Sequence, residues 1–478
     1  MRTITNTVLV LVLGLSLTSC KQPVEQARPV EAAKKEIIFV THNGPTTFYV
    51  NGDNQLAGIE YDLATMFAKE YAPGYQTKFL LVNSISDVIP ALLKGKAQIA
   101  AANLSITPLR QKLIQFSKPY QETQQQLIFN NESDAKPKNL ASISDKKITV
   151  PAGTSYAERL TELQEIQIEK HQPPIHWQTV KKSNTEALLE NVANGILDLT
   201  VADSHLVAVM QNYYPNLAVA FSVGKPESMA WALSKNADPV LMKKVNTFFD
   251  KIHKDGRLRN LLDRYYGSSK RLNSQDITSF LVLSNKLLPK YSPLFKQAQE
   301  ITGIDWRLLA AVSYRESHWD TYNTSPTNVR GLMMLTESTA DLMGVSDRLD
   351  PKQSIPAGAK YILKLKDTIS EKIPEPDRTY MALAAYNIGY AHVEDARVLA
   401  QRLKLNPNSW ADVKKTLVML NDPEYYVNAK YGYASGGAPV IFVESIRSYQ
   451  RILERYQPSH NPDFNTFNIA QSNLSVSN

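Results

Sequence analysis

The chain has 478 residues, 43% of them hydrophobic and 21% charged, with a formal net charge of +7. That length fits about two to four domains of ordinary size, and the composition excludes a collagen-like or wholly disordered chain. The 53 Lys and Arg residues are scattered rather than clustered, which argues against nucleic acid as a partner and leaves a mild attraction to anionic surfaces such as acidic lipid.

At the N-terminus Arg2 precedes a short apolar run over residues 8–17, VLVLVLGLSL. Spanning a bilayer takes about 20 apolar residues, so a basic start with a short apolar core reads as a secretory signal over residues 1–19. The segment Leu17-Thr18-Ser19-Cys20 resembles a bacterial lipobox, whose cysteine is lipidated and becomes the first residue of the mature chain. Cys20 is the only cysteine and has no internal disulfide partner, which fits a thioether-linked lipid. An ordinary signal peptide with an incidental cysteine is the plain alternative. Lys21, rather than an aspartate, follows Cys20, and by the usual sorting rule this implies a lipid anchor on the periplasmic face of the outer membrane.

Residues 20–35 are polar and proline-containing and read as a tether. From Glu36 the pattern changes: Ile37 to Val40 is a β-branched apolar run ended by Asn43-Gly44-Pro45, a strand and a turn. Residues 58–71 (GIEYDLATMFAKEY) carry apolar side chains at 59, 63, 66, 67 and 71, which is helical spacing. Strand and helix signals then alternate to about residue 267, predicting an α/β architecture. A second block from about 275 to 458 is almost wholly helical in pattern, with the boundary placed at Gly267-Ser268-Ser269-Lys270. The expected domains are therefore 36–268 and 269–458. Residues 459–478, rich in Asn, Ser and Pro, read as a disordered tail.

Four segments in order, 58–71, 91–120, 150–160 and 245–267, make residues 36–268 resemble the periplasmic amino-acid-binding proteins, family 3 of the solute-binding class. The resemblance implies two α/β lobes closing on a ligand, here an amino acid or muropeptide, with a regulatory rather than catalytic role. A free amino acid presents a carboxylate and an ammonium that both need partners once water is excluded. By position, Arg110 matches the arginine that clamps the carboxylate and Asp203 the aspartate that takes the ammonium, while Ser105, Thr154 and Ser155 match hydroxyl and backbone donors. The alternative is that Arg110 and Asp203 form surface or interlobe ion pairs and the cleft has degenerated.

Residues 301–320, ITGIDWRLLAAVSYRESHWD, predict a helix from Trp306 with Asp305 as its N-cap. Leu309, Val312 and Ser313 share a face with Glu316, so that carboxyl sits at the edge of an apolar core, where its pKa rises. A group of this kind stays protonated near neutral pH and can donate a proton to a leaving oxygen. A surface glutamate at a frayed helix end is the plain alternative.

Glu316-Ser317, then Asn323 to Pro326, Val329 to Met333 and Ala384 to Gly389 (AAYNIG) follow in an order that resembles the lysozyme-like domain of the soluble lytic transglycosylases. This resemblance implies a mainly α fold that cleaves peptidoglycan glycan strands. Glu316 matches the catalytic acid/base; Ser325, Gly331, Tyr386 and Asn387 match positions that line or close the substrate groove. One position departs: Met334 stands where the family usually has glutamine, so no role is carried over to it. The matched motifs offer one carboxylate where glycosidases ordinarily use two. In the family the sugar supplies its own nucleophile and a 1,6-anhydro ring forms. No cofactor or metal is implied, since the eight histidines show no paired ligand spacing. The rival readings are a hydrolytic lysozyme and a transport or signalling receptor with an inert C-terminal domain.

Overall fold

The computed structural model describes residues 35–51, 55–181, 183–269, 272–325 and 328–461. The signal segment, Cys20, nearly all of the tether and residues 462–478 lie outside the described residues.

The first lobe is built on a five-stranded sheet. Its strand order is Gln76–Val82, Glu36–His42, Ile99–Ala100, Ala232–Ser234 and Ile114–Phe116. The first three run parallel, with Phe39 opposite Phe79, and the last two are antiparallel to their neighbours. The helix predicted over 58–71 runs from Ile59 to Tyr71 and buries Ile59, Leu63 and Phe67. Phe39, Phe67, Trp231, Phe248 and Phe249 close the core in edge-to-face and stacked contacts of 5.0–6.3 Å, so strands and helices far apart in sequence share one aromatic centre.

The second lobe centres on Gln125–Asn130, flanked antiparallel by Thr200–Asp203 and Leu217–Ser222. Ile148–Pro151 pairs with Trp177–Val180 in parallel and joins the first set through the backbone bond from Thr149 N to Leu199 O, 2.9 Å. The helix Ser155–Glu169 starts at Thr154, whose hydroxyl accepts from Ala157 N.

From Ser274 onward the described chain is helical, from Ser274–Lys286 through Gly437–Tyr456. The helix Trp306–Ser317 forms the centre of this module, and Asp305 does cap it, accepting from Arg307 N at 2.7 Å. Tyr314 on that helix meets Phe280, Trp319 and Tyr449 at 4.6–4.9 Å.

The two modules meet on a buried seam. Ser268 and Ser269, at the boundary read from the sequence, are 0% and 6% exposed. The carbonyl of Ser268 accepts from Ser448 Oγ at 2.8 Å and that of Ser269 from Asn212 Nδ2 at 3.2 Å. Arg447 donates to Asp263 O at 2.7 Å and Arg451 to Arg264 O at 2.6 Å. Arg259 pairs with buried Asp412 at 2.6 Å. The last helix of the second module is thus fastened along the last helix of the first.

Candidate active site and interlobe cleft

Glu316 lies in the last turn of the helix Trp306–Ser317, on the face shared with Leu309, Val312 and Ser313, each 0% exposed. Glu316 is half-buried at the edge of this apolar face. Desolvation pushes its pKa up to about 8, opposed only by the adjacent Arg315 cation. No carboxylate among the described residues contributes to that shift; a second acid at close range would raise it further by like-charge repulsion.

The same helix end holds a turn over residues 331–334, pinned from two sides. Ser313 Oγ and Ser317 Oγ both donate to Leu332 O at 3.0 Å. Tyr386 OH donates to Met333 O at 2.6 Å. Gly331 has φ +80°, and a Cβ there would fall 1.9 Å from the carbonyl oxygen of Arg348. Only glycine fits, for both backbone conformation and space; the chain that approaches closely here is the protein's own backbone at Arg348. Met334 continues the turn at φ +46° and donates its N–H to Gly331 O at 3.0 Å.

Tyr386 is near enough for the charge of Glu316 to add to burial in raising its phenol well above the ordinary value. Its ring stacks on Phe442 at 6.5 Å and tilts against Tyr361 at 5.6 Å, and the Arg315 guanidinium lies 5.9 Å from the Phe442 ring centre. Asn387 follows Tyr386 and is exposed at the end of the helix Asp377–Ile388. Ser325 ties its own loop: its N–H donates to Val329 O at 2.9 Å and its Oγ accepts from Val329 N at 3.1 Å. Phe442, Tyr361 and Arg315 escape a reading of the sequence. Phe442 belongs to the apolar stripe of the helix Gly437–Tyr456, but a stripe reports burial and not what it is buried against.

In the N-terminal module the five predicted residues converge between the lobes. Arg110 is 4% exposed and donates from Nε to Glu158 Oε1 at 3.2 Å. Its other nitrogens go to Ser105 O and Gly153 O at 3.2 and 3.3 Å. Asp203, 7% exposed, accepts from Tyr156 OH at 2.8 Å through Oδ2. Its Oδ1 is buried with no partner in hydrogen-bond geometry among the described residues. Burial raises Asp203 to about 6, held back by Tyr156, Thr123 and Arg110. Ser155 Oγ accepts from Gln125 Nε2 at 3.1 Å, and that amide also reaches Glu227 at 3.0 Å. Thr154 Oγ1 donates to Pro151 O at 2.8 Å.

Among the described residues no group of His, Cys, Asp and Glu is placed to hold a metal ion, and no helix is long and apolar enough to cross a membrane.

Comparison with known proteins matches this division. Residues 37–268 match the bacterial extracellular solute-binding proteins, family 3, and residues 293–407 match the transglycosylase SLT domain. The chain is 55% identical to the membrane-bound lytic murein transglycosylase F of Methylobacillus flagellatus over 97% of each chain. It is 42% identical to that of Nitrosospira multiformis over 94% of this chain and 92% of the relative. Among solved structures, an ancestral arginine-binding protein bound to arginine aligns with 49% of this chain and 99% of its own, with a TM-score of 0.42 at 22% identity. The chain belongs to the membrane-bound lytic murein transglycosylase F family, with a family 3 solute-binding module in front of a transglycosylase SLT domain.

Proposed function

We propose that this chain is a peptidoglycan lytic transglycosylase, which cleaves the β-1,4 bond between N-acetylmuramic acid and N-acetylglucosamine, with Glu316 as its one acid/base. The observation that carries the reading is a half-buried carboxyl, raised to about 8, on which no second described carboxylate acts. Protonated Glu316 gives its proton to the bridging oxygen as the glycosidic bond breaks. The cation-like muramoyl C1 is stabilised by the sugar's own N-acetyl carbonyl. The C6 hydroxyl then attacks C1 while the Glu316 carboxylate takes its proton. A 1,6-anhydro ring closes, the acid is regenerated and no water is consumed. Ser325, Gly331, Tyr386 and Asn387 are assigned to the groove that holds the glycan.

The acid must start protonated, so the rate on purified glycan strands should be high at neutral pH and fall as pH rises through about 8. A rate that climbs through that range would contradict the assignment.

The N-terminal cleft is assigned an amino acid or peptide-stem ligand, held by Arg110 and Asp203 and adjusting cleavage in the second module. Coupling of this kind is typically worth about 1–3 kcal/mol, a several-fold effect. Calorimetry paired with cleavage assays tests both halves, and binding without a change in rate would remove the coupling alone. Cys20 is assigned as the lipid anchor to the outer membrane. Cys20→Ala should move the protein to the soluble periplasmic fraction, because each buried methylene of an acyl chain contributes about 0.8 kcal/mol. Continued sedimentation with membranes would show that another feature holds it.

A further inference from the structure

The Arg110 guanidinium spends its donors within the protein. Ser105 O, from its own lobe, takes one terminal nitrogen. The Nε edge, the side that presents two parallel donors to a carboxylate, is covered by two groups of the opposite lobe: Glu158 Oε1 at 3.2 Å and Gly153 O at 3.3 Å. Glu158 lies in the first turn of the helix Ser155–Glu169, and its side chain is 21% exposed. The lobes also approach each other at two further places. A Cβ on Gly153 would fall 2.7 Å from Ser86 Cβ, and one on Gly44 would fall 2.7 Å from Glu186 Oε1. The ammonium side of the cleft is different in kind, because Asp203 Oδ1 and Gln125 Oε1 are buried acceptors with no partner among the described residues.

We propose that Glu158 is a tethered competitor in the carboxylate subsite of this cleft, and that a ligand carboxylate reaches Arg110 by displacing it. The proposal rests on the reading of the cleft as an amino-acid site. A side chain held by its own helix acts at a high effective concentration, so it weakens every competing carboxylate by a constant factor. A ligand whose carboxyl is amidated has nothing to gain at Arg110 and does not feel the competition. Glu158 thereby sets specificity: it raises the affinity a free acid must have to close the cleft in its place.

The test is calorimetry on the full chain with the twenty common L-amino acids and their amides, for wild type and Glu158→Gln. Glutamine keeps the length of the side chain and loses the charge; Glu158→Ala serves as a second variant should the amide pair with Arg110. The expected result is about tenfold tighter binding of the preferred free acid in both variants, with binding of its amide unchanged. If wild type binds an amino acid and neither variant gains affinity, the competitor role falls while the cleft keeps its assignment. An equal gain for acid and amide would also overturn it, since that is the signature of a looser cleft rather than a vacated subsite. If neither wild type nor variants bind any probe, the amino-acid reading fails and the proposal with it.

Discussion

Glu316→Gln is expected to abolish glycan cleavage while leaving the fold and substrate binding intact. The amide matches the carboxyl in shape but cannot donate a proton and then reclaim one. Losing general acid catalysis costs at least about 10²–10⁴ in rate, and here the same group serves both half-steps. The substitution should also change how stability depends on pH. The carboxyl titrates at about 8 in the fold against an ordinary 4.5. Between those values the unfolded chain gives up a proton that the folded chain keeps. The contribution of Glu316 to stability is therefore fully present below about 4.5 and is lost as pH rises through 8. An uncharged amide escapes that loss, so the variant should melt higher than wild type in mildly alkaline buffer while being inactive. Retention of more than a tenth of wild-type activity, or a variant that melts lower across the alkaline range, would remove Glu316 from this role.

Arg447→Met is expected to destabilise the chain by about 3–5 kcal/mol, the usual cost of leaving a buried charge without its partner. Arg447 is 3% exposed. It pairs with Glu444 at 2.7 Å and Asp263 at 3.3 Å, donates to the carbonyls of Asp263 and Arg264, and lies 4.7 Å from the Tyr380 ring centre. Methionine fills the space but leaves Lys414 as the one cation among the described residues that Glu444 and Asp263 share, with Trp410 Nε1 still donating to Glu444 at 2.8 Å. Because Asp263 belongs to the first module and Glu444 to the second, the loss falls on the seam. Scanning calorimetry should show a transition displaced to lower temperature and divided into two, one for each module. A melting profile identical to wild type would mean that the seam contributes little to holding the modules together.

What the sequence reveals here depends on distance along the chain. The helix Ile59–Tyr71, the Asp305 cap and the buried face beneath Glu316 follow from side chains within a few turns of one another, where spacing alone fixes the geometry. The division into two modules is equally readable, because period-two and period-3.6 patterns give way to a purely helical one. The aromatic surround of Tyr386 is not readable in this way, since Phe442 and Tyr361 reach it through tertiary packing that no local pattern encodes. The burial of Ser268 and Ser269 is hidden for a related reason. Small polar residues mark a boundary in the sequence, but their carbonyls are able to accept bonds inside an interface. At Arg110 the residue type points to a carboxylate partner, and the partner found is Glu158 of the opposite lobe. Spacing cannot separate an internal carboxylate from one carried by a ligand.

The central claim is that one carboxyl cleaves the glycan with the sugar's own hydroxyl as nucleophile. Digesting purified glycan strands in heavy-oxygen water, followed by mass analysis of the new muramoyl ends, tests it most directly. The expected ends are lighter than reducing ends by one water and carry no heavy oxygen. Reducing ends labelled with heavy oxygen would show that water attacks C1 and would contradict cleavage by one carboxyl with the sugar's own hydroxyl.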